Sequence, residues 1–375
     1  MSTAMALGTT PLAITAAGVI TPAGLGLERL GAALAEGRVA PGDASAVTEA
    51  SLPPCPIQVV PHLPVEELLG RKGNRQLDRT TKLALIATRL ALDVAGARGT
   101  GPATTAHSGV VLGTSTGSIR SSSEYSRETL ELEKPYLVNP GLFPNTVMNC
   151  AAGQIAIRND LHGVNATLAG GHLSGLQAIR YARNALRQGH ADRLLVGGVE
   201  EFCAQSAWGW HRSGALSPDA AIGEAAAMLL VEPLHAVREE DRIAQILACE
   251  VAFGPQAGRE AGGLAAVLAR VIGEALERSG VQPAEVDTVS LGASGQVGLE
   301  RIEERGVRAA LGGTLPPQVI RVKRVLGECF SAGGAIQIAA VLAQWQGEDA
   351  AAEGRPALVT SVGADGSVGC LVLRR

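Results

Sequence analysis

The chain has 375 residues, 46% of them hydrophobic and 18% charged, a globular composition that excludes a disordered or fibrous protein. Thirty-two basic against 36 acidic side chains give a formal net charge of -4, so no basic field exists to hold a nucleic-acid backbone. Aromatics are only 3% while glycines number 47, so the core has to be built from small aliphatic side chains packed around many turns.

The opening stretch MSTAMALGTTPLAITAAGVITPAG has no basic segment ahead of its apolar residues. No apolar run approaches the ~20 residues needed to cross a bilayer. A cytoplasmic protein without a membrane span is expected. The six cysteines, Cys55, Cys150, Cys203, Cys249, Cys329 and Cys370, form no CxxC pair and no zinc-like spacing with histidine, so reduced thiols and no metal site are expected.

In chain order, residues 82–95 (KLALIATRLALDVA) carry apolar positions at helical spacing, and residues 109–118 (GVVLGTSTGS) read as a buried strand running into a loop. The GTSTG of that loop lacks the GK[ST] of a P-loop and the GxGxxG of a dinucleotide fold, so nucleotide binding is not expected. A helix follows at 175–187, a strand at 194–201, and a turn feeding a buried strand at 223–232 (GEAAAMLLVE). The charged stretch 232–243 (EPLHAVREEDRI) contains Pro233 and reads as a joint between residues 1–235 and 236–375.

Beyond the joint the same order recurs. The helix at 83–96 and strand at 108–118 are matched by LAAVLARVIGEALERSG at 264–280 and VDTVSLGASGQ at 286–296. The helix at 170–189 and strand at 193–201 are matched by FSAGGAIQIAAVLAQWQG at 330–347 and ALVTSVGADGS at 357–367. A duplicated unit predicts two similar α/β halves facing each other. In each half a Gly-rich turn opens the second helix, at Gly170, Gly171 and His172 and again at Gly327, Glu328 and Cys329. A side chain there meets unpaired N–H groups and the positive end of the helix dipole.

Taken together, ITAAGVITPAGLG, LDRTTKLAL, FPNTVMNCAAGQIAI, VNATLAGGHLSGLQAI, IGEAAAMLLVEP, VKRVLGECFSAGGA and TSVGADGSVGCLVL resemble, in order and spacing, the β-ketoacyl synthases, the condensing enzymes of fatty acid and polyketide synthesis. The resemblance covers nearly the whole chain. It implies a thiolase-like five-layered α-β-α-β-α fold made of two duplicated halves.

It also implies a Cys-His-His triad, and here this sequence departs from the family. His172 stands in LAGGHLSG where the family places its nucleophilic Cys, Gly292 stands in LGASGQ where it places one His, and Glu328 stands in KRVLGE where it places the second. Lys323 of the last motif remains. Without thiolate or imidazoles the ordinary condensation is not available. In the C-terminal turn GADGSV, Ala364 replaces a gating Phe and Asp365 a Gly. Loss of the nucleophile on a retained scaffold resembles the chain-length factors, the inactive partners of type II polyketide ketosynthases, and FPNTVMNCAAGQIAI resembles the segment of pairs that make polyene-type chains.

That resemblance implies a heterodimer with a Cys-containing ketosynthase, and Arg side chains that dock an acidic acyl carrier protein. It further implies that no cofactor is bound and that substrates come on the carrier protein's phosphopantetheine arm. Phe143, Thr146, Val147 and Met148, with Phe202 and Ala364, are expected at the acyl tunnel or interface, though apolar side chains there can equally be ordinary packing. Glu303 is expected to support the site through a charged pair with Lys323. Cys329 reads as a packing residue. His172 is either a polar filler or a base, and a direct His172–Glu328 hydrogen bond is expected to satisfy both. The alternative function is an acyltransferase or thioesterase using a His172–Glu328 dyad.

Overall fold

Residues 225–231 are buried on both faces, with Ala225, Ala227, Leu229 and Val231 in one core and Ala226, Met228 and Leu230 in another. An extended chain with no polar face has to lie between two helical layers. The computed structural model, which describes residues 10–40, 42–98, 107–254, 261–347 and 354–375, builds this arrangement twice.

The first half runs β1 (Leu12–Thr21), β2 (Gly24–Leu25), α1 (Gly26–Glu36), β3 (Ile57–Gln58), α2 (Val65–Leu69), α3 (Arg79–Ala97), β4 (Ser108–Gly113) and α4 (Ile119–Glu131). It continues with α5 (Cys150–Arg158), β5 (Asn165–Leu168), α6 (Ser174–Arg187), β6 (Arg193–Glu200), α7 (Ala204–Ser213), β7 (Ile222–Gly223) and β8 (Ala225–Pro233). The second half runs β9 (Ala244–Phe253), α8 (Ala261–Ser279), β10 (Thr288–Ser290), α9 (Leu299–Ala310), β11 (Gln318–Ile320), α10 (Val322–Leu326), α11 (Gly333–Gly347), β12 (Pro356–Val362) and β13 (Ser367–Arg374).

Strand order is β5-β4-β6-β8-β1 in the first half and β11-β10-β12-β13-β9 in the second. In each, the first three strands are parallel and the remaining pairings antiparallel. Third, second, fourth, fifth, first is thus the order in both, and the duplication read from sequence is the observed fold. A short antiparallel ladder, Leu12, Ala13 and Ile14 against Ile246, Gln245 and Ala244, joins the halves.

Helices α6 and α11 lie between the sheets, in a core that holds Leu176, Ile179 and Ala182 together with Ile336, Ala339 and Leu30 of α1. One outer layer packs Leu83, Ile86 and Ile155 of α3 and α5 on the first sheet; the other packs Leu268, Ile272 and Val307 of α8 and α9 on the second. The result is five layers. Glycine sets the spacing of the middle one. A Cβ on Gly175 would lie 2.9 Å from the Ala335 nitrogen, and one on Gly334 would lie 3.1 Å from the Leu176 nitrogen. The starts of α6 and α11 therefore meet backbone to backbone, and the turns that precede them face each other.

Among the described residues no helix is long and apolar enough to cross a membrane, and no group of three or more His, Cys, Asp or Glu side chains is placed to hold a metal ion.

Candidate functional site

The segment between α7 and β7 clamps two loops of the second half. Ser217 N–H donates to the Gly295 carbonyl (2.9 Å) and Val297 N–H to that of Ala215 (2.9 Å). Glu328 N–H donates to the Ala221 carbonyl (2.8 Å), and Gly223 N–H to that of Glu328 (3.0 Å). Gln296 and Glu328 are thereby fixed opposite His172. Gly171, with φ +58, is in the left-handed region that lets the chain turn before α6. His172 is 7% exposed, its ring edge-on to Phe330 (centroids 4.5 Å) and to Trp210 of α7 (5.8 Å). Phe330 has φ +36, a left-handed conformation uncommon outside glycine.

Glu328 organises the polar contacts. Its Oε1 lies 2.6 Å from Lys323 Nζ and accepts from Phe330 N–H (2.8 Å); its Oε2 accepts from Gln296 Nε2 (2.6 Å). The same Gln296 nitrogen is 2.9 Å from His172 Nε2, whereas His172 Nε2 and Glu328 Oε2 are 3.8 Å apart. The direct His172–Glu328 hydrogen bond expected from sequence is therefore replaced by a bridge through the Gln296 amide.

Charge explains this arrangement. Burial alone would raise the Glu328 carboxyl, but Lys323 and the His172 ring outweigh it and hold the group well below the ordinary carboxylate range. An ionised carboxylate only accepts, so the amide nitrogen must face it. Its second N–H then points at His172 Nε2, which has to offer a lone pair. This orientation of the amide calls for a neutral ring with its proton on Nδ1. Burial first, and the Lys323 charge after it, hold the imidazole below its usual range against the pull of Glu328.

Lys323 thus pairs with Glu328, not with Glu303 as expected. Glu303 is fully buried and accepts from Gly292 N–H (2.9 Å), Ala293 N–H (2.7 Å) and Thr360 Oγ1 (2.7 Å), so the turn after β10 meets its needs without a cation. Burial pushes its carboxyl up to about 7. At Gly292 a Cβ would lie 2.6 Å from the Thr360 carbonyl oxygen and 3.1 Å from Gln337 Oε1, so the space a side chain would need is taken. Cys329 is buried, burial raises its thiol, and its Sγ contacts the Gly327 carbonyl at 3.3 Å, which suits a packing role.

The family model "Beta-ketoacyl synthase, N-terminal domain" matches residues 9–236, and "Beta-ketoacyl synthase, C-terminal domain" matches residues 243–349. The chain belongs to the β-ketoacyl synthase family. Among curated relatives, the "Putative polyketide beta-ketoacyl synthase 2" of Streptomyces coelicolor is 31% identical, the match spanning 96% of this chain and 94% of that protein. The "Actinorhodin polyketide putative beta-ketoacyl synthase 2" of the same organism is 27% identical over 88% of this chain and 84% of its own length. Among solved structures, "The ishigamide ketosynthase/chain length factor" superposes with a TM-score of 0.83 at 34% identity, covering 97% of this chain and 99% of that one. The five layers are the thiolase fold of that family.

In this ketosynthase-family chain the other singled-out residues are not among the direct hydrogen-bond or ring partners of His172, although Phe202 shares a core with Trp210 and Ala364 adjoins Asp365. Phe143 (55% exposed), Val147 (43%) and Met148 (47%) are surface residues around the 3-10 turn Pro140–Thr146, where Phe143 packs on Tyr125 and Thr146 Oγ1 donates to the Phe143 carbonyl. Phe202 is buried with Val59, Ala207 and Ile222, and its N–H donates to Glu224 (3.0 Å). It belongs to a small core. Ala364 is exposed in the turn between β12 and β13, where Asp365 accepts from Ser367 N–H and Oγ.

Sequence reasoning missed Gln296, Trp210 and Phe330. It also missed Glu200, which accepts from the Ser331 and Ser115 hydroxyls and is pushed by burial up to about 7. No motif or periodicity in the sequence groups Gln296, Trp210 and Phe330 with His172.

Proposed function

We propose that this chain is the ketosynthase-like, chain-length-factor subunit of a type II polyketide synthase, paired with a Cys-containing β-ketoacyl synthase whose acyl tunnel it helps to wall. In this reading His172, Gly292 and Glu328 occupy the family's triad positions. The observation that carries it is the closed state of the cluster: the His172 Nε2 lone pair is taken by Gln296, and at Gly292 a side chain would meet the Thr360 carbonyl. Such a site offers neither nucleophile nor free base. The name of the 34%-identical neighbour, which couples a ketosynthase with a chain length factor, supports the same pairing.

The surface of Phe143, Val147 and Met148, with Tyr136 (72% exposed) and Leu137 (55%) on an adjoining turn, suits the partner's interface. The reaction supported is decarboxylative condensation of a malonyl unit presented on the phosphopantetheine arm of an acyl carrier protein. The partner's residues perform it, and no further cofactor is required. The dyad reading, hydrolysis or acyl transfer by His172 and Glu328, needs a free Nε2 and draws no support from this geometry.

The test is mass-spectrometric detection of malonyl extension on acyl carrier protein with this chain alone, the partner ketosynthase alone, and both together. Extension only by the pair is expected. Extension by this chain alone would overturn the reading.

A further inference from the structure

The Gln296 side chain is 4% exposed and is held at both ends of its reach: the Val297 and Ser217 backbone bonds fix its loop against residues 215–217, and its amide nitrogen is shared between Glu328 Oε2 and His172 Nε2. The imidazole and carboxylate stand 3.8 Å apart, about 1 Å beyond hydrogen-bond contact. The Gln296 amide nitrogen, 2.6 Å from the carboxylate oxygen and 2.9 Å from the ring nitrogen, bridges the two from beside the gap. The charged groups that bear on the ring are Lys323 from α10, Glu328 from the turn before α11, and Asp365 from the turn between β12 and β13. Two aromatic rings, Trp210 and Phe330, also flank it.

We propose that Gln296 is a clamp: its amide nitrogen takes the hydrogen-bonding sites on His172 Nε2 and Glu328 Oε2 through which the two would otherwise pair, and so fixes the imidazole in its neutral Nδ1–H form and keeps the two from acting as an acid–base pair. Gln296 is in this sense a positioning residue, acting on the state of another side chain. Three features follow from one amide. The nitrogen satisfies a carboxylate that Lys323 keeps ionised. Its second proton caps the lone pair a general base would use. Its two hydrogen bonds hold ring and carboxylate 3.8 Å apart, so the ring does not gain the full charge stabilisation of a direct ion pair. The proposal rests on the reading of the site as silent, but it is tested on this chain by itself.

The experiment is heteronuclear NMR of the full chain with isotope-labelled histidine. Seven histidines are present, and the His172 signal is identified by its loss in His172→Gln. Ring nitrogen shifts report the tautomer, and their pH dependence reports the titration. In the unaltered chain the Nδ1–H form is expected at neutral pH. In Gln296→Ala, with Gln296→Ser as a second variant should the first fail to fold, the ring closes on Glu328 and the His172 midpoint rises by about one pH unit or more. Gln296→Asn, which keeps an amide, is expected to preserve the neutral form better than either.

An Nε2–H tautomer in the unaltered chain would overturn the proposal, and so would an unchanged His172 midpoint in folded Gln296→Ala or Gln296→Ser. A filler without a positioning role would alter thermal stability and leave the tautomer and midpoint where they were. Failure of the subunit reading appears separately, as malonyl extension by this chain alone, and leaves the NMR outcome untouched.

Discussion

Lys323 and Glu328 form an ion pair, Nζ to Oε1 at 2.6 Å, in which both side chains are almost wholly removed from solvent. They are five residues apart, on α10 and in the turn just beyond it, and Glu328 in turn holds Gln296 and the Phe330 backbone. The pair anchors the charge state of the whole cluster. Lys323→Met would leave Glu328 buried with no cation, a change that costs about 3–5 kcal/mol in comparable cases. Chemical denaturation should show a loss of that order, and a loss under about 1 kcal/mol would mean that the pair is not the anchor.

Stability should also depend on pH in an unusual direction. The Glu200 carboxyl, held by Ser331 and Ser115, is raised by burial from an ordinary 4.5 to about 7. Because its folded value lies above its unfolded one, its contribution is fully present below pH 4.5 and is lost as pH rises through 7. Glu200→Gln should therefore flatten the decline in melting free energy between pH 5 and 8, by an amount on the order of 2 kcal/mol. Melting curves at several pH values that keep the same slope in the variant would contradict this.

Gly292→Ala places a methyl group 2.6 Å from the Thr360 carbonyl oxygen, which belongs to the β12 backbone and cannot rotate away. Overpacking of this kind costs about 1–3 kcal/mol. Gly273, exposed on α8 with open space where a Cβ would go, is the matched control. Gly273→Ala should stabilise by about 0.5–1 kcal/mol through helix propensity. Opposite signs for the two alanines in one denaturation series are expected.

Phe143→Asp and Met148→Asp put charge on side chains that are half exposed in the single chain. If the partner covers them, each should weaken the heterodimer by at least about tenfold while leaving the melting temperature of the isolated chain within a degree or two. Analytical ultracentrifugation of the mixed subunits measures this, and unchanged association would place the interface elsewhere.

The fold was legible because its signals are local and repeated. The helical spacing at 82–95 and 175–187 marks α3 and α6, and the matching segments after residue 260 mark α8 and α11. The same helix–strand order in two places marked the duplication, whereas the strand order β5-β4-β6-β8-β1 and its counterpart came only with the structure. His172 and Glu328 were legible as neighbours for the same reason, since each sits in the turn that opens the second helix of its half; the pairing of Lys323 with Glu328 was not. Nor was Gln296. Its place between two other side chains depends on backbone bonds from residues 215–217, some 80 positions away, and no periodicity encodes them. Glu303 was misassigned because the family resemblance implied a charged pair, whereas two backbone N–H groups and a hydroxyl suffice.

The backbone contact between Gly175 and the start of α11 has a consequence for how the molecule can be assembled. Helices from the two halves share one middle layer, so neither half carries a finished core of its own. A polypeptide severed in the connection between β8 and β9 would yield two fragments, each with an unmet apolar face, and order would come only on their reunion. Synthesis from the first residue onward exposes that face until α11 has been made. The duplicated halves share one core, and the second completes the first.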